Sequence, residues 1–154
     1  MKLQQLIQPN RVVLGLEASD AEEAIAVVGE LISEELGVPA QKVAAALMER
    51  EKLGSTGVGD GFAIPHCKLP GISEIIVAVI RFNEGVEFHS PDGKPVRLMF
   101  VVISPPDQPA AHLQVLSQIA RVLKRKDVRR KLLEAEDAAA IVALIQESAE
   151  AEGL

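Results

Sequence analysis

The chain has little with which to bind nucleic acid. Among its 154 residues there is no Trp, no Tyr and only four Phe, so the aromatic side chains on which single-stranded bases stack are scarce. The net charge of −6 opposes nonspecific binding to DNA or to anionic lipid. One basic cluster, residues 124–126 and 129–131, is interpreted as a solvated helix face. We therefore expect no nucleic-acid partner.

Cysteine is nearly absent as well. The single Cys67 excludes an internal disulfide framework and favours a reducing compartment. The first ten residues lack the apolar core and the small-residue cleavage site of a signal peptide. No apolar run is long enough to cross a bilayer. These absences predict a cytoplasmic protein without membrane insertion.

What the chain does contain is a composition of 48% hydrophobic and 25% charged residues, which is typical of a globular domain. Apolar, β-branched runs predict strands at residues 11–16, 75–82 and 96–103, the last two buried on both faces. Helical periodicity follows Asp20 and Pro39, and returns after residues 110, 128 and 137. We expect one α/β domain over residues 1–154, a three-layer α/β/α sandwich, with residues 150–154 as a frayed tail.

The most informative stretch is the run REKLGSTGVGDGFAIPH, residues 50–66. Its four glycines allow backbone N–H groups to approach an oxyanion closely. Arg50, Ser55 and Thr56 can complete the hydrogen bonding of such an anion. His66 follows the stiff pair Ile64-Pro65, and an imidazole is a nucleophile or a proton carrier near neutral pH. The run therefore predicts phosphoryl transfer through His66.

Each of these residues also has an ordinary structural interpretation. His66 could be a loop histidine bonded to a carbonyl, and Arg50 a cation near a helix C-terminus. Ser55 and Thr56 could cap or turn the chain. Their concentration beside four glycines favours an anion cradle over these separate explanations.

The other two histidines are less informative. His112 lies in the first turn of a predicted helix. It could be an ordinary polar residue at the start of that helix, or a second imidazole beside the phosphoryl group. Only the fold can bring it to the first histidine. His89 is interpreted as a solvated turn residue without a role.

Sites for other phosphate chemistry do not occur in the sequence. There is no Walker loop, no dinucleotide fingerprint and no histidine spacing typical of a metal site. We therefore expect no cofactor and no metal. The phosphoryl group would then arrive from another protein.

The run at residues 50–66 resembles the signature of the fructose/mannitol/nitrogen class of enzyme IIA domains of the bacterial phosphoenolpyruvate-dependent phosphotransferase system. The stretches DGKPV (92–96), VVISP (101–105) and HLQVLSQIA (112–120) agree with it. The resemblance implies an α/β/α sandwich around a mixed sheet, with His66 phosphorylated at Nε2 by the phosphocarrier HPr or a nitrogen-branch equivalent. It also implies phosphate contacts from Arg50, Ser55 and Thr56, and a second active-site histidine at His112.

The chain departs from this family at Cys67, where glycine is usual. If that position required a positive φ, the loop would have to adjust. A thiol beside the reactive histidine also raises the hypothesis of redox regulation.

Two functions of different classes follow. The first is a phosphoryl carrier that passes its group to a sugar-transporting IIB domain or, in the nitrogen branch, to no further acceptor. The second is a regulatory module of nitrogen type, whose phosphorylation changes its docking to kinases or transporters. The free-standing length and the wording of the motif favour the second. A degenerate homologue that binds without phosphorylation is a third possibility, against which the intact His66 argues.

Overall fold

The computed structural model describes all 154 residues, as six helices and six strands with one short 3-10 turn at Pro9–Arg11. The helices are α1 Leu3–Leu6, α2 Ala21–Leu36, α3 Ala40–Glu51, α4 Pro109–Val122, α5 Lys126–Glu134 and α6 Ala138–Ala151. The strands are β1 Val12–Leu16, β2 Gly57–Gly59, β3 Phe62–Ala63, β4 His66–Lys68, β5 Ile76–Val86 and β6 Val96–Ser104.

The strands form one mixed sheet in the order β1-β5-β6-β3-β2, with β4 also pairing with β6. Strand β5 runs parallel to β1 and antiparallel to β6, whereas β3 and β4 both run parallel to β6. Strand β6 therefore lies at the centre of the sheet. Strand β3 pairs with its first half and β4 with its last three residues.

Helices cover both faces of the sheet, which confirms the predicted three-layer sandwich. Along β5 the side chains alternate: Val77 and Val79 join the core beneath α1 and α4–α6, while Ala78 and Ile80 join the core beneath α2 and α3. A strand buried on both faces has no polar side, which explains its nearly continuous apolar sequence.

Helix α2 shows how local chemistry sets an element's ends. The Asp20 side chain accepts a hydrogen bond from the backbone N–H of Glu23, satisfying a donor that the first turn leaves free. At the other end Gly37 adopts a left-handed conformation with φ of 68°, which costs glycine little. The start of the helix after Asp20 agrees with the sequence prediction.

Two parts of the chain differ from the prediction. Residues 57–68, for which the sequence predicts no strand, contain three short strands, because neighbouring strands supply hydrogen-bond partners that the sequence does not reveal. The tail at 150–154, expected to fray, continues α6 to Ala151 and then turns back. There the Leu154 carbonyl accepts a hydrogen bond from Gln4 Nε2 at 2.6 Å, and the Leu154 side chain packs on the core. None of the six helices is both long and apolar enough to span a membrane.

Candidate active site

His66 is the first residue of β4, where parallel pairing sets it opposite Val102 of β6. Its Nδ1 lies 2.7 Å from the carbonyl oxygen of Ile64. A carbonyl can only accept, so Nδ1 carries the ring proton and Nε2 keeps its lone pair. The rigid Ile64-Pro65 segment thus fixes both the orientation and the tautomer of the imidazole.

Arg50 contacts the opposite edge of the same ring. It lies in the last turn of α3, and its Nε is 3.3 Å from His66 Nε2, with Nη1 donating to the Gly54 carbonyl at 2.8 Å. A guanidinium has no acceptor, so this contact also requires a lone pair on Nε2. Two independent partners therefore define the same tautomer.

Burial lowers the pKa of His66 below its ordinary value of 6.5. The hydrogen bond to the Ile64 carbonyl raises that pKa, the Arg50 charge lowers it and the Glu51 charge raises it, but desolvation is the largest effect. The imidazole is consequently neutral at pH 7, as a nucleophile must be.

His112 lies beside His66, as the second interpretation of this residue requires. The two ring centroids are 5.6 Å apart with planes tilted by 55°. His112 is only 5% exposed, and its Nδ1 lies 2.6 Å from Ser104 Oγ. Desolvation, followed by the charges of His66 and Lys68, lowers its pKa to about 4. It is therefore a neutral imidazole at physiological pH.

Ser55 and Thr56 line a small cavity together with Arg50 and His66, whereas His112 lines a neighbouring cleft that Arg50 and His66 also border. Their hydroxyls are nevertheless engaged with protein groups. Ser55 Oγ donates to the Phe88 carbonyl at 2.7 Å and accepts from the N–H of Gly57 at 3.1 Å.

Glu51 occupies the hydrogen-bond donors of Thr56. One carboxylate oxygen accepts from the Thr56 hydroxyl at 2.6 Å, and the other accepts from the Thr56 N–H at 2.8 Å. The Thr56 hydroxyl and N–H could donate to a phosphoryl group only after their hydrogen bonds to the Glu51 carboxylate break. Sequence reasoning missed Glu51, although its place directly after Arg50 in the motif was visible.

A cleft of about 510 Å³ opens over the two histidines. Its walls include Glu49 and Lys68 and the side chains of Leu53 and Leu113, which are 84% and 66% exposed. Val58, 54% exposed, borders the adjacent cavity that also contains His66. Large apolar side chains this exposed around a reactive group are typical of a surface that another protein covers.

Cys67 requires no unusual backbone, because φ is positive at only two non-glycine residues, Asp60 and His89. Its side chain points away from His66 in strand alternation and packs in the core beneath α2 and α3. Burial raises the pKa of the thiol to about 12, so the reactive thiolate does not form at neutral pH. The structure gives no support to the redox hypothesis.

His89 lies in the turn between β5 and β6, with φ of 52° and a side chain 86% exposed. It borders a cavity between the start of α2 and the end of α3, which neither of the other two histidines lines. Its exposure is that of the solvated turn residue that the sequence predicts.

The structure thus combines an α/β/α fold with a neutral histidine whose free Nε2 lies beside an arginine, and the comparisons with known proteins identify the family. A family model described as "Phosphoenolpyruvate-dependent sugar phosphotransferase system, EIIA 2" matches residues 5–148, so the chain belongs to this family. Over 146 residues it is 38% identical to a nitrogen regulatory protein of Pseudomonas aeruginosa, covering 94% of this chain and 95% of that protein.

Two further relatives extend the comparison. The crystal structure of the nitrogen regulatory protein IIA-Ntr from Neisseria meningitidis superimposes with a TM-score of 0.88 at 34% identity, covering 93% of this chain and 98% of that one. A fructose-specific EIIABC component of Bacillus subtilis is 32% identical over 151 residues, which cover 96% of this chain but 23% of that protein. The family thus includes both regulatory and sugar-specific members.

Proposed function

We propose that the protein carries a phosphoryl group on His66 Nε2, accepted from a phosphohistidine of an HPr-like phosphocarrier. The observation that carries the proposal is the tautomer of this ring. The Ile64 carbonyl holds the proton on Nδ1, and the contact with Arg50 Nε requires a lone pair on Nε2, in a ring that lines the cleft.

The transfer exchanges one P–N bond for another. The Nε2 lone pair forms a bond to phosphorus while the donor's P–N bond breaks and its electron pair returns to the donor imidazole. Positive charge that develops on the His66 ring is stabilised by the Ile64 carbonyl at Nδ1. The nearby Glu51 carboxylate acts in the same direction, since its charge raises the pKa of His66.

Arg50 would stabilise the transferring oxygens. Its guanidinium already touches the atom that attacks, so a small shift moves its N–H groups from Nε2 to the phosphoryl oxygens. His112 is proposed as a neutral second contact, and the Ser55–Thr56 segment as a third. The segment contributes only if Thr56 leaves Glu51, which phosphorylation itself would promote by repelling that carboxylate.

The donor would dock on the exposed apolar side chains around the cleft. Leu53, Leu113 and Val58 supply contact area that excludes water from the transfer, and Glu49 and Lys68 supply charges of both signs at its edge. Exclusion of water strengthens the electrostatic contacts and protects the phosphohistidine from hydrolysis.

We further propose a regulatory role of nitrogen type in the cytoplasm. The nitrogen regulatory relatives match the chain almost end to end, whereas the chain spans about a quarter of the fructose-specific relative. Cys67 remains a free, buried thiol, consistent with a reducing compartment. A second candidate is transfer onward to a IIB domain, which the likeness to that fructose-specific component favours.

Incubation with phosphoenolpyruvate, enzyme I and HPr, followed by intact-protein mass measurement, tests the proposal. We expect an acid-labile gain of one phosphoryl group in the wild type and in the exposed-histidine control His89→Ala, and none in His66→Ala. Absence of the gain in the wild type, with donors shown to be active, would refute it. Subsequent addition of a IIB domain would separate the two candidates, since only a transport component loses the label to it.

A further inference from the structure

We propose that Ser104 is a positioning residue that fixes the tautomer of His112, so that the His112 Nε2–H is a hydrogen-bond donor to the phosphoryl group on His66. The proposal rests on the proposed function for its consequence, but the tautomer itself is a property of the unphosphorylated protein.

Ser104 is the last residue of β6 and is completely buried. Its hydroxyl oxygen lies 2.6 Å from His112 Nδ1, and this is the only hydrogen bond that the Ser104 side chain makes. A serine hydroxyl always carries a hydrogen that needs an acceptor. If Nδ1 carried the ring proton, the Ser104 hydrogen would be left unpaired in the core, which is costly.

The arrangement with every group satisfied has the Ser104 O–H donating to Nδ1. The ring proton of neutral His112 then belongs on Nε2. Since Ser104 lies in the protein interior and His112 lines the cleft, Nε2 is the ring nitrogen that remains for the cleft.

The tautomer decides whether the second histidine helps or hinders. A neutral ring with Nε2–H donates to a phosphoryl oxygen, whereas the other tautomer would present a lone pair and repel that oxygen. The charged or titratable groups that share the cleft with His112 are His66, Cys67, Lys68, Arg50 and Glu49. None of them contacts His112 Nδ1, so Ser104 is the group that controls this nitrogen.

The backbone carbonyl of Ser104 also accepts a hydrogen bond from the Leu69 N–H at 2.9 Å. No side-chain substitution at residue 104 removes that bond. Ser104→Ala therefore deletes the hydroxyl alone, and Ser104→Thr retains it. Ser148→Ala deletes another buried serine hydroxyl, on α6, and is the matched control.

Long-range proton–nitrogen NMR spectra of the ¹⁵N-labelled, unphosphorylated protein report which ring nitrogen of each histidine is protonated. We expect His112 to be protonated at Nε2 in the wild type, in Ser104→Thr and in Ser148→Ala, and to show a mixture of tautomers in Ser104→Ala. Protonation at Nδ1 in the wild type, or an unchanged spectrum in Ser104→Ala, would overturn the proposal.

Kinetics of phosphorylation provide the second measurement. We expect Ser104→Ala to lower the maximal rate roughly three- to tenfold, the effect of one hydrogen bond, without changing the dependence on donor concentration. In a His112→Ala background the same substitution should have no further effect. An equal decrease in that background would show a merely structural role and overturn the proposal. If no variant is phosphorylated, the proposed function fails, while the NMR result still decides the tautomer.

Discussion

The imidazole rings of His66 and His112 lie 5.6 Å apart, although one residue opens a strand and the other lies in the first turn of a helix. Strand β6 brings them together. His66 pairs with it through β4, and His112 follows it after the short connection at residues 105–108. Its terminal residue, Ser104, contacts the second ring directly.

Substitution of Arg50 should impair phosphoryl transfer more than binding of the donor. We expect Arg50→Ala to lower the maximal phosphorylation rate by about 100-fold or more, because a preorganised donor at the transferring oxygens is lost. Arg50→Lys should recover only part of this rate, since lysine has no Nε donor in the same place. Rapid-quench measurements check this, with the exposed Arg130→Ala as the control. Equal rates for Arg50→Ala and the control would remove Arg50 from the mechanism.

His112 should make the protein less stable in mild acid. Its pKa is about 4 when folded and 6.5 ordinarily, so between these values the unfolded chain binds more protons than the folded one. The free energy of unfolding should therefore fall as pH is lowered from 6.5 towards 4, by up to about 3 kcal/mol from this group. Urea unfolding of the wild type and His112→Gln across this range checks it. A wild-type decrease no steeper than that of the variant would contradict the assignment.

Gly57, the first residue of β2, lies against Ser90. A Cβ at Gly57 would lie 2.2 Å from Ser90 Oγ and 2.9 Å from its Cβ. We expect Gly57→Ala to destabilise the protein by about 1–3 kcal/mol through overpacking. The double variant Gly57→Ala/Ser90→Gly should recover part of this loss, because the two effects are not additive. Thermal unfolding of the four proteins of this cycle measures the coupling, and strict additivity would refute the explanation.

The exposed leucines should affect the donor's affinity rather than the chemistry. We expect Leu113→Asp or Leu53→Asp to raise the KM for the phosphorylated donor about tenfold or more, as for an apolar contact near an interface centre. The fold should be unaffected because both side chains are largely exposed. Leu31→Asp on α2, outside the clefts that contain His66, is the matched control. An unchanged KM in both test variants would place the docking surface elsewhere.

Some of this site was predictable because its signals are local. The motif at residues 50–66 contains the proposed nucleophile, the rigid Pro65 before it and the arginine one helix turn before the glycines. The long helices and the strands β5 and β6 were equally predictable, since each has a clear period or a continuous apolar run. Strands of two or three residues carry no such period, so β2, β3 and β4 were not recognised.

The remainder depends on contacts between distant parts of the chain. Nothing in the sequence near His112 shows that the end of β6 supplies a hydroxyl to its ring. The tail was expected to fray, yet Gln4 Nε2 binds the Leu154 carbonyl and the Leu154 side chain packs on the core. Likewise, the position of Thr56 in the motif does not show that its hydroxyl donates to the Glu51 carboxylate.

The pairing of β4 with β6 has a consequence for how such a protein can diversify. Strand β6 positions both imidazoles, and no residue of α2 or α5 lines either of the two cavities that contain His66. Substitutions on the outer faces of these two helices can therefore accumulate without changing the distance between the two imidazole rings. The same arrangement of the two histidines can in this way be kept in proteins whose outer surfaces differ and contact different partners.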